Sequence, residues 1–296
     1  MKLVRFSDPR QFQDRVSPFL VQLEAENNLP LGIIANLVGG EFREQPPYLA
    51  AVEDGGEIQF VALRTPPFPA LFSHSDPVPG QETIQLVLDD LRDVFGANLS
   101  GVTANKPLAA VLHQSWVQRT GLNSELDMAM RIYKLEEVRT PEGVPGRLQK
   151  AGPGDRELLE EWYAGFHREA LGEEQSPEKA RKQVENFLTS DPGQRGLRVW
   201  KVNDQLVSMA GYSGPTPHGI RVGAVYTPPR HRKKGYASAC VAALSQELLD
   251  EGFSFCFLFT DLQNPTSNQI YQDIGYQPVG DVDTYQFYPL DREVDQ

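Results

Sequence analysis

The segment from Tyr226 to Ala239 constrains this chain most, because it joins an apparent strand to an apparent helix through a short basic loop. Ile220 to Tyr226 is rich in β-branched and apolar residues, and Pro228-Pro229 offers no N–H to a sheet, so the strand should end there. Apolar residues recur at helical spacing after Gly235, which predicts a helix with one buried face. These residues are Ala237, Cys240, Val241, Leu244 and Leu248.

A loop of this kind can hold a polyphosphate. The first amides of a helix have no carbonyl partner within the helix and carry the positive end of its dipole, so an anion can accept hydrogen bonds from them. Gly235 lets the backbone approach a phosphate closely, and Arg232, Lys233 and Lys234 supply countercharge. A basic run can also be a solvated face, but the flanking strand and helix favour the anion site. Neither a Walker A loop nor a Gly-x-Gly-x-x-Gly fingerprint is present.

The motif Arg232-x-x-Gly235-x-Ala237 resembles the Gln/Arg-x-x-Gly-x-Gly/Ala signature of the GNAT superfamily of N-acetyltransferases. Phe253 to Leu262 is nearly continuously apolar, as expected of a strand buried on both faces. Asn264 to Tyr276 then resembles that family's second cofactor motif, Asn-x-x-(Ser/Ala)-x-x-x-Tyr-x-x-x-Gly-(Phe/Tyr). The resemblance covers roughly Arg147 to the C-terminus.

The resemblance implies acetyl-CoA as cosubstrate. It implies that backbone groups of Val225 and Thr227 line the pantetheine arm, that the basic loop and the helix start hold the pyrophosphate, and that Asn264 and Asn268 contact the arm from the other side. The implied cofactor-binding residues are Val225, Tyr226, Thr227, Arg232, Lys233, Lys234, Gly235, Tyr236, Ala237, Ser238, Asn264 and Asn268. Tyr271 occupies the position of a general acid that protonates the departing thiolate, although a half-buried structural tyrosine is the alternative.

The general base is not assigned. Many relatives carry a glutamate on the strand before the phosphate loop, but Ile220 to Val225 contains no carboxylate. His167, Glu169 or Asp261 could take a proton from an amine through water, and each is equally compatible with a surface or structural role. The small residues Gly223-Ala224 leave room for an acceptor on the strand face.

Two halves of the chain echo each other. Tyr48 to Leu63 is predicted to form a hairpin that turns at Asp54-Gly55, and Leu197 to Tyr212 a second one that turns at Asn203-Asp204. Helical regions precede both: Val16 to Leu37 in the first half, and Asp155 to Leu171, capped by Asp155, and Pro177 to Leu188 in the second. The echo predicts an α/β (α+β) protein with two tandem GNAT-like domains, each a mixed, mainly antiparallel sheet flanked by helices.

The domain boundary is expected in the proline- and glycine-rich segment near 140–146, after an apparent strand from Met128 to Leu135. Residues 1–140 then form a degenerate domain and residues 147–296 the catalytic one. In the first half, the segment from Phe72 to Glu82 that precedes a helix at Thr83 to Val94 carries two carboxylates and no lysine or arginine. One cofactor site is therefore expected, in the second half.

Composition limits the partners. The 296 residues carry a formal net charge of −12, which disfavours nucleic acid, and no apolar stretch approaches the ~20 residues needed to span a bilayer. No secretory signal is visible at the N-terminus, so the cytosol is the expected compartment. Cys240 and Cys256 suggest neither a disulfide framework nor a metal site, and no metal is expected.

These observations lead to one functional hypothesis, an acetyl-CoA-dependent N-acetyltransferase that acts on an amine of a small molecule or peptide. A non-catalytic acyl-CoA sensor on the same fold is the alternative, because the strand carboxylate is missing. A nucleic-acid binder using Arg230 to Lys234 is disfavoured by the charge of the chain. Neither the acceptor nor the oligomeric state follows from the sequence.

Overall fold

The computed structural model describes residues 1–40, 45–172 and 174–289. These residues form two compact units, the first comprising Met1–Arg131 with the described residues from Gly280 onward, and the second Ile132–Val279. Within the described chain, no helix has both the length and the apolar character needed to cross a membrane.

The first unit is a mixed sheet with helices on both faces. Its elements are β1 (Lys2–Arg5), α1 (Pro9–Leu20), α2 (Asn28–Val38), β2 (Tyr48–Asp54), β3 (Glu57–Arg64), β4 (Ala70–Phe72), α3 (Gln81–Phe95), β5 (Gly101–Asn105), α4 (Lys106–Thr120) and the first part of β6 (Asn123–Leu135). The strands follow the order β1-β2-β3-β4-β5, antiparallel except for the parallel pair β4 and β5. One sheet face packs on α1 and α2 and the other on α3 and α4, each through a separate apolar cluster.

The second unit repeats this arrangement strand for strand. Its further elements are β7 (Arg147–Lys150), α5 (Arg156–Phe166), α6 (Pro177–Thr189), β8 (Arg195–Val202), β9 (Gln205–Ser213), β10 (Gly219–Tyr226), α7 (Tyr236–Asp250), β11 (Phe255–Asp261), α8 (Pro265–Asp273) and β12 (Gln277–Tyr288), with a single π-helical turn at His167–Leu171. The order is β7-β8-β9-β10-β11, again antiparallel except for the last, parallel pair. The predicted tandem arrangement and fold class are confirmed.

The final strand of each unit comes from an unexpected part of the chain. β5 pairs with β12, in an antiparallel register from Val282 opposite Asn105 to Gln286 opposite Gly101, and β11 neighbours β6. Because of this pairing the chain changes unit at Ile132, rather than within 140–146, and returns to the first unit at Gly280. The structural units therefore differ from the expected division into 1–140 and 147–296.

The local predictions hold with two corrections. Both hairpins form, and their turns use left-handed residues, Gly55 and Gly56 in the first and Asn203 and Asp204 in the second. The helical region predicted at Val16 to Leu37 is two helices, the first of which begins earlier because Asp8 caps it, accepting a hydrogen bond from the Arg10 amide at 2.9 Å.

The second correction concerns α5. Asp155 makes no side-chain capping bond to this helix. Its Oδ2 instead accepts from the backbone N–H of Gly152 at 2.8 Å, which closes the short 3-10 turn before the helix. The prediction that Asp155 caps α5 was wrong because an aspartate at a helix start can bond backward to a local amide as well as forward.

Candidate cofactor and catalytic site

β10 and β11 separate at their carboxyl ends. Their parallel register runs from Gly219 opposite Phe255 to Arg221 opposite Phe257, beyond which the described residues of the two strands show no further pairing with each other. Ala224 has a left-handed φ of 47°, and the register with β9 shifts between Gly223 and Tyr226. This bulge turns the end of β10 away from regular pairing and opens the carboxyl edge of the parallel pair, which is where ligands bind in open α/β sheets.

The basic loop leads from this open edge into α7. Lys233 and Gly235 both have left-handed φ angles, 60° and 76°, and the first helical hydrogen bond runs from the Ala239 amide to the Gly235 carbonyl at 2.9 Å. The three amides of Tyr236, Ala237 and Ser238 therefore have no carbonyl partner within the helix. They lie at the positive end of the helix dipole, beside the exposed side chains of Lys233 and Lys234.

Gly235 is required here for two reasons. Its positive φ is strained for a residue with a side chain, and a Cβ at this position would lie 2.9 Å from Cγ2 of Val144. The space beside Gly235 is therefore limited by the side chain of Val144 as well as by any phosphate bound there. A substitution at Gly235 would disturb the loop itself as well as any ligand.

Arg232 is held by groups that the sequence did not connect to it. Its Nη2 lies 2.6 Å from Oε2 of Glu169 and its Nε donates to the Thr227 carbonyl at 2.8 Å. The other oxygen of Glu169 accepts from the Tyr226 hydroxyl at 3.1 Å. Both members of the ion pair are about 40% exposed. The π-helical turn after α5 thereby places one carboxylate against the arginine and the tyrosine of the predicted site.

The run from Arg230 to Lys234 is not a row of equivalent cations. His231 is buried, and its Nε2 accepts a hydrogen bond from Nε of Arg230 at 3.0 Å, which assigns a neutral ring. Burial lowers the pKa of His231, and the positive charges of Arg230 and Lys234 lower it further. The solvent-facing charge of this segment therefore comes from its lysines and arginines.

The end of β10 is fixed by β9. The hydroxyl of buried Ser208 donates to the Tyr226 carbonyl at 3.2 Å and lies 2.8 Å from the Thr227 hydroxyl. Val225 is half-buried against the core of the second unit. The strand segment predicted to line a pantetheine arm is thus held in place by hydrogen bonds on one side, with the open edge towards β11 on the other.

The two asparagines of the second motif make structural contacts. Asn264 caps α8, its Oδ1 accepting from the Ser267 amide at 3.0 Å. Asn268 donates through Nδ2 to the carbonyls of Asp261 and Asn264, both at 2.8 Å, and accepts at Oδ1 from the Tyr133 hydroxyl at 2.9 Å. These bonds use the side chain of Asn268 to fix the corner between β11 and α8.

Tyr271 is 9% exposed and packs between the rings of Tyr133 and Tyr276. No group in the described part of the chain hydrogen-bonds its hydroxyl, whereas the Tyr133 hydroxyl bonds both Asn268 and Gln272. Burial raises the pKa of Tyr271 to about 12, so the phenol is protonated at neutral pH. Such a hydroxyl has a proton to donate, and no acceptor among the described residues competes for it.

The candidate bases are dispersed. His167 contacts Gln175 through Nδ1 at 3.0 Å, and Oδ1 of Asp261 accepts from the Gln263 amide at 2.8 Å. Glu169 is bound to Arg232. None of these residues lies on β10, where a Cβ added at Gly223 would meet no atom within 4 Å. The strand face therefore offers open space rather than a carboxylate.

Comparison with known families gives this site a context. Residues 156–276 match the model of the Acetyltransferase (GNAT) family. This part of the chain is a GNAT domain. The match extends from the start of α5 to the end of the second motif, so it includes every predicted site residue. No curated protein matches the chain.

Solved structures show the same fold over nearly the whole length. A GCN5-related N-acetyltransferase from Sphaerobacter thermophilus is 14% identical with a TM-score of 0.60, and 99% of this chain and 98% of that chain are covered. A tandem GNAT protein from the clavulanic acid biosynthesis pathway is 11% identical with a TM-score of 0.58 and 99% coverage of both chains. A GNAT-family acetyltransferase from Colwellia psychrerythraea is 9% identical with a TM-score of 0.55, covering 97% and 100%. At these identities the likeness concerns the fold alone.

Proposed function

We propose that the second unit is an acetyl-CoA-dependent N-acetyltransferase that acts on an amine of a small molecule or peptide. The observation that carries the proposal is the start of α7, where three amides without a helical carbonyl partner and two exposed lysines lie at the open carboxyl edge of β10 and β11. Helix N-termini with added cations are a recurring arrangement for phosphate groups. We further propose the cytosol as the compartment and no nucleic-acid or membrane partner.

The residues at this edge would bind coenzyme A through the start of α7 and through the backbone at the end of β10. The amides of Tyr236, Ala237 and Ser238 would donate to the pyrophosphate, and Lys233 and Lys234 would supply charge. The backbone at the end of β10, at Val225 and Thr227, would accept from and donate to the amides of the pantetheine arm. Arg232 would have to leave Glu169 or share it with the phosphate, because its guanidinium is already bonded.

Acetyl-CoA supplies an acetyl group activated as a thioester. We propose that Tyr271 donates its phenolic proton to the sulfur as the carbon–sulfur bond breaks, because its hydroxyl is protonated and has no hydrogen-bond partner among the described residues. The acceptor nitrogen forms the new bond to the acetyl carbon and loses a proton to solvent, and Tyr271 regains a proton from solvent, so that the products are the amide and the free thiol. An amine that enters in its neutral form needs no carboxylate on β10, which is consistent with the open face at Gly223.

Binding is tested by removing the two lysine charges without changing the backbone strain. The double variant Lys233→Gln/Lys234→Gln should weaken acetyl-CoA binding by roughly tenfold or more in calorimetric titration, because each lysine contributes a charge-assisted contact to the phosphates. The matched control is Lys179→Gln/Lys182→Gln, which removes two exposed lysines from α6 of the same unit. Equal affinities in the two double variants would refute the cofactor site.

The catalytic role of Tyr271 is tested by comparing two Tyr→Phe variants, because the hydroxyl of Tyr133 has hydrogen-bond partners and that of Tyr271 has none among the described residues. Tyr271→Phe should leave acetyl-CoA affinity and stability near those of the parent and lower the release of free thiol with an amine panel by about 100-fold. Tyr133→Phe should lose the bonds to Asn268 and Gln272 and unfold at lower temperature, while its turnover at a temperature below unfolding stays at the parent value. Parent turnover in Tyr271→Phe would make that tyrosine structural.

The sensor on the same fold is the second candidate, favoured by the absence of a carboxylate from β10 and by the ion pair that occupies Arg232. It predicts acetyl-CoA binding with no thiol release from any amine. For the first unit we propose no cofactor at all. It carries Asp76 before α3 and Glu82 in the first turn of α3, both exposed, where the second unit carries lysines. Gly80→Glu should therefore leave acetyl-CoA binding unchanged.

A further inference from the structure

Three polar residues form a row across one face of the second sheet. Ser213 on β9 lies opposite Arg221 on β10 and also opposite Arg195 on β8, so all three side chains project from the same face. Neighbouring strands are about 5 Å apart, which places the two arginines about 10 Å apart with the serine hydroxyl between them. Two long guanidinium side chains at this separation can reach the same small anion.

The row borders open space. The next row on the same face is Gly223, Gly211 and Leu197. A Cβ on Gly223 would meet nothing within 4 Å, so there is free volume beside Arg221 on the strand that leads to the bulge. Arg221 and Gly223 are two residues apart on one strand, a distance of about 7 Å. An acceptor whose amine lies over Gly223 would extend its other end over Arg221.

Arg221 has no acceptor among the described residues. No described oxygen hydrogen-bonds its guanidinium or forms an ion pair with it, and its Nη2 lies against Gly214, 3.1 Å from the position a Cβ would take there. Burial lowers the pKa of Arg221, and the nearby charge of Arg195 lowers it further. An arginine that packs for stability normally has a carboxylate or carbonyl partner, as Arg198 has in Glu247. A bound anion would offset both the burial of this guanidinium and the like charge beside it.

We propose that Arg195, Ser213 and Arg221 bind an oxyanion group of the acceptor, a carboxylate or a phosphate. Planar guanidinium groups match both anions with paired hydrogen bonds, and the serine hydroxyl can donate a third. The substrate class is then an amine that also carries an acidic group. The assignment rests on the proposed function, because it describes the acceptor of the same reaction.

The experiment measures binding and turnover separately. The full-length protein is titrated calorimetrically with ω-amino acids of increasing chain length, with their methyl amides and with phosphoethanolamine, and thiol release from acetyl-CoA is then measured with the same compounds. Arg221→Gln should weaken binding of the acidic probes by roughly tenfold to a hundredfold, the effect of losing a charge-assisted bond, and leave the methyl amides unaffected. Arg221→Lys should recover part of the affinity. Comparing carboxylate with phosphate probes identifies the anion.

Control variants distinguish an effect on anion binding from an effect on folding or on acetyl transfer. Arg181→Gln removes one exposed charge from α6 and should bind every probe as the parent does. Arg221→Gln should keep or raise the melting temperature, since it removes a half-buried charge that has no described partner, and should retain acetyl-CoA affinity. Equal binding of acidic and neutral probes, binding of none of them, or an unchanged Arg221→Gln variant would overturn the anion site even if amines are acetylated. Acidic probes that bind through Arg221 without thiol release would support the anion site and refute the transferase.

Discussion

The buried histidine of the first unit gives a prediction of acid sensitivity. His74 is 9% exposed, its backbone N–H donates to Oδ1 of Asn27 at 2.7 Å, and its ring packs against Gly280. Burial lowers the pKa of His74 to about 4, compared with about 6.5 in an unfolded chain. Below pH 6.5 the unfolded chain therefore binds a proton that the folded protein does not accept.

The sign and size of the effect follow from this difference. The contribution of His74 to the free energy of unfolding is complete above pH 6.5 and decreases as the pH falls towards 4. One pKa unit corresponds to about 1.4 kcal/mol, so the loss reaches about 3 kcal/mol at pH 4, a large part of the stability of an ordinary domain. His74→Gln, which cannot be protonated, should lack this term.

The assay is urea unfolding of parent and variant at pH values from 7.5 to 4.5. The difference between the two free energies of unfolding should be constant above pH 6.5 and then shift in favour of the variant by up to about 1.4 kcal/mol per pH unit. Taking the difference cancels the carboxylates that both proteins share. His218→Gln is the control because that ring is exposed. Parallel curves for parent and His74→Gln would refute the reasoning.

Three further predictions concern the second unit. Glu247→Gln should lower the free energy of unfolding by about 2 kcal/mol in urea titration, because it leaves the guanidinium of Arg198, 7% exposed, without its carboxylate; an unchanged midpoint would contradict this. With no carboxylate on β10, kcat/KM should rise about tenfold per pH unit up to the pKa of the acceptor amine itself, and a plateau at lower pH would reveal an enzyme base. Residues 147–296 expressed alone should fail to give a cooperative thermal transition, since Tyr133 and Leu135 of β6 belong to the core of this unit.

Short sequence patterns made much of this fold predictable. The strand, basic loop and helix around Gly235, both hairpins and the Asn264 cap follow from turn residues, caps and periodicity within short windows. The exchange of final strands was not predictable in this way. β6 and β12 have similar strand-like sequences, and only the three-dimensional ladder decides that β12 pairs with β5 and β6 lies beside β11.

The contacts of the site escaped prediction for the same reason. Glu169 lies 63 residues before Arg232, and no pattern in the sequence connects them. The row of Arg195, Ser213 and Arg221 becomes visible only when the registers of three strands are known, because a shift of one residue would send any of them to the opposite face. Sequence motifs located the loop that we propose binds the cofactor, whereas the row that we propose binds the acceptor depends on strand register.

The two units share a strand order and differ in the segment that joins the fourth strand to its helix. After β4 the chain turns inward: the Ser73 hydroxyl accepts from the Val61 amide at 3.0 Å, and His74 is held by Asn27. After β10 the chain also buries a histidine, His231, but it then exposes Lys233 and Lys234 before α7. The segment from Phe72 to Glu82 contains no lysine or arginine, so the two segments differ in their exposed cations. The same place in the fold therefore serves packing in one unit and, as we propose, anion binding in the other, and the choice depends on the few residues that join a strand to a helix.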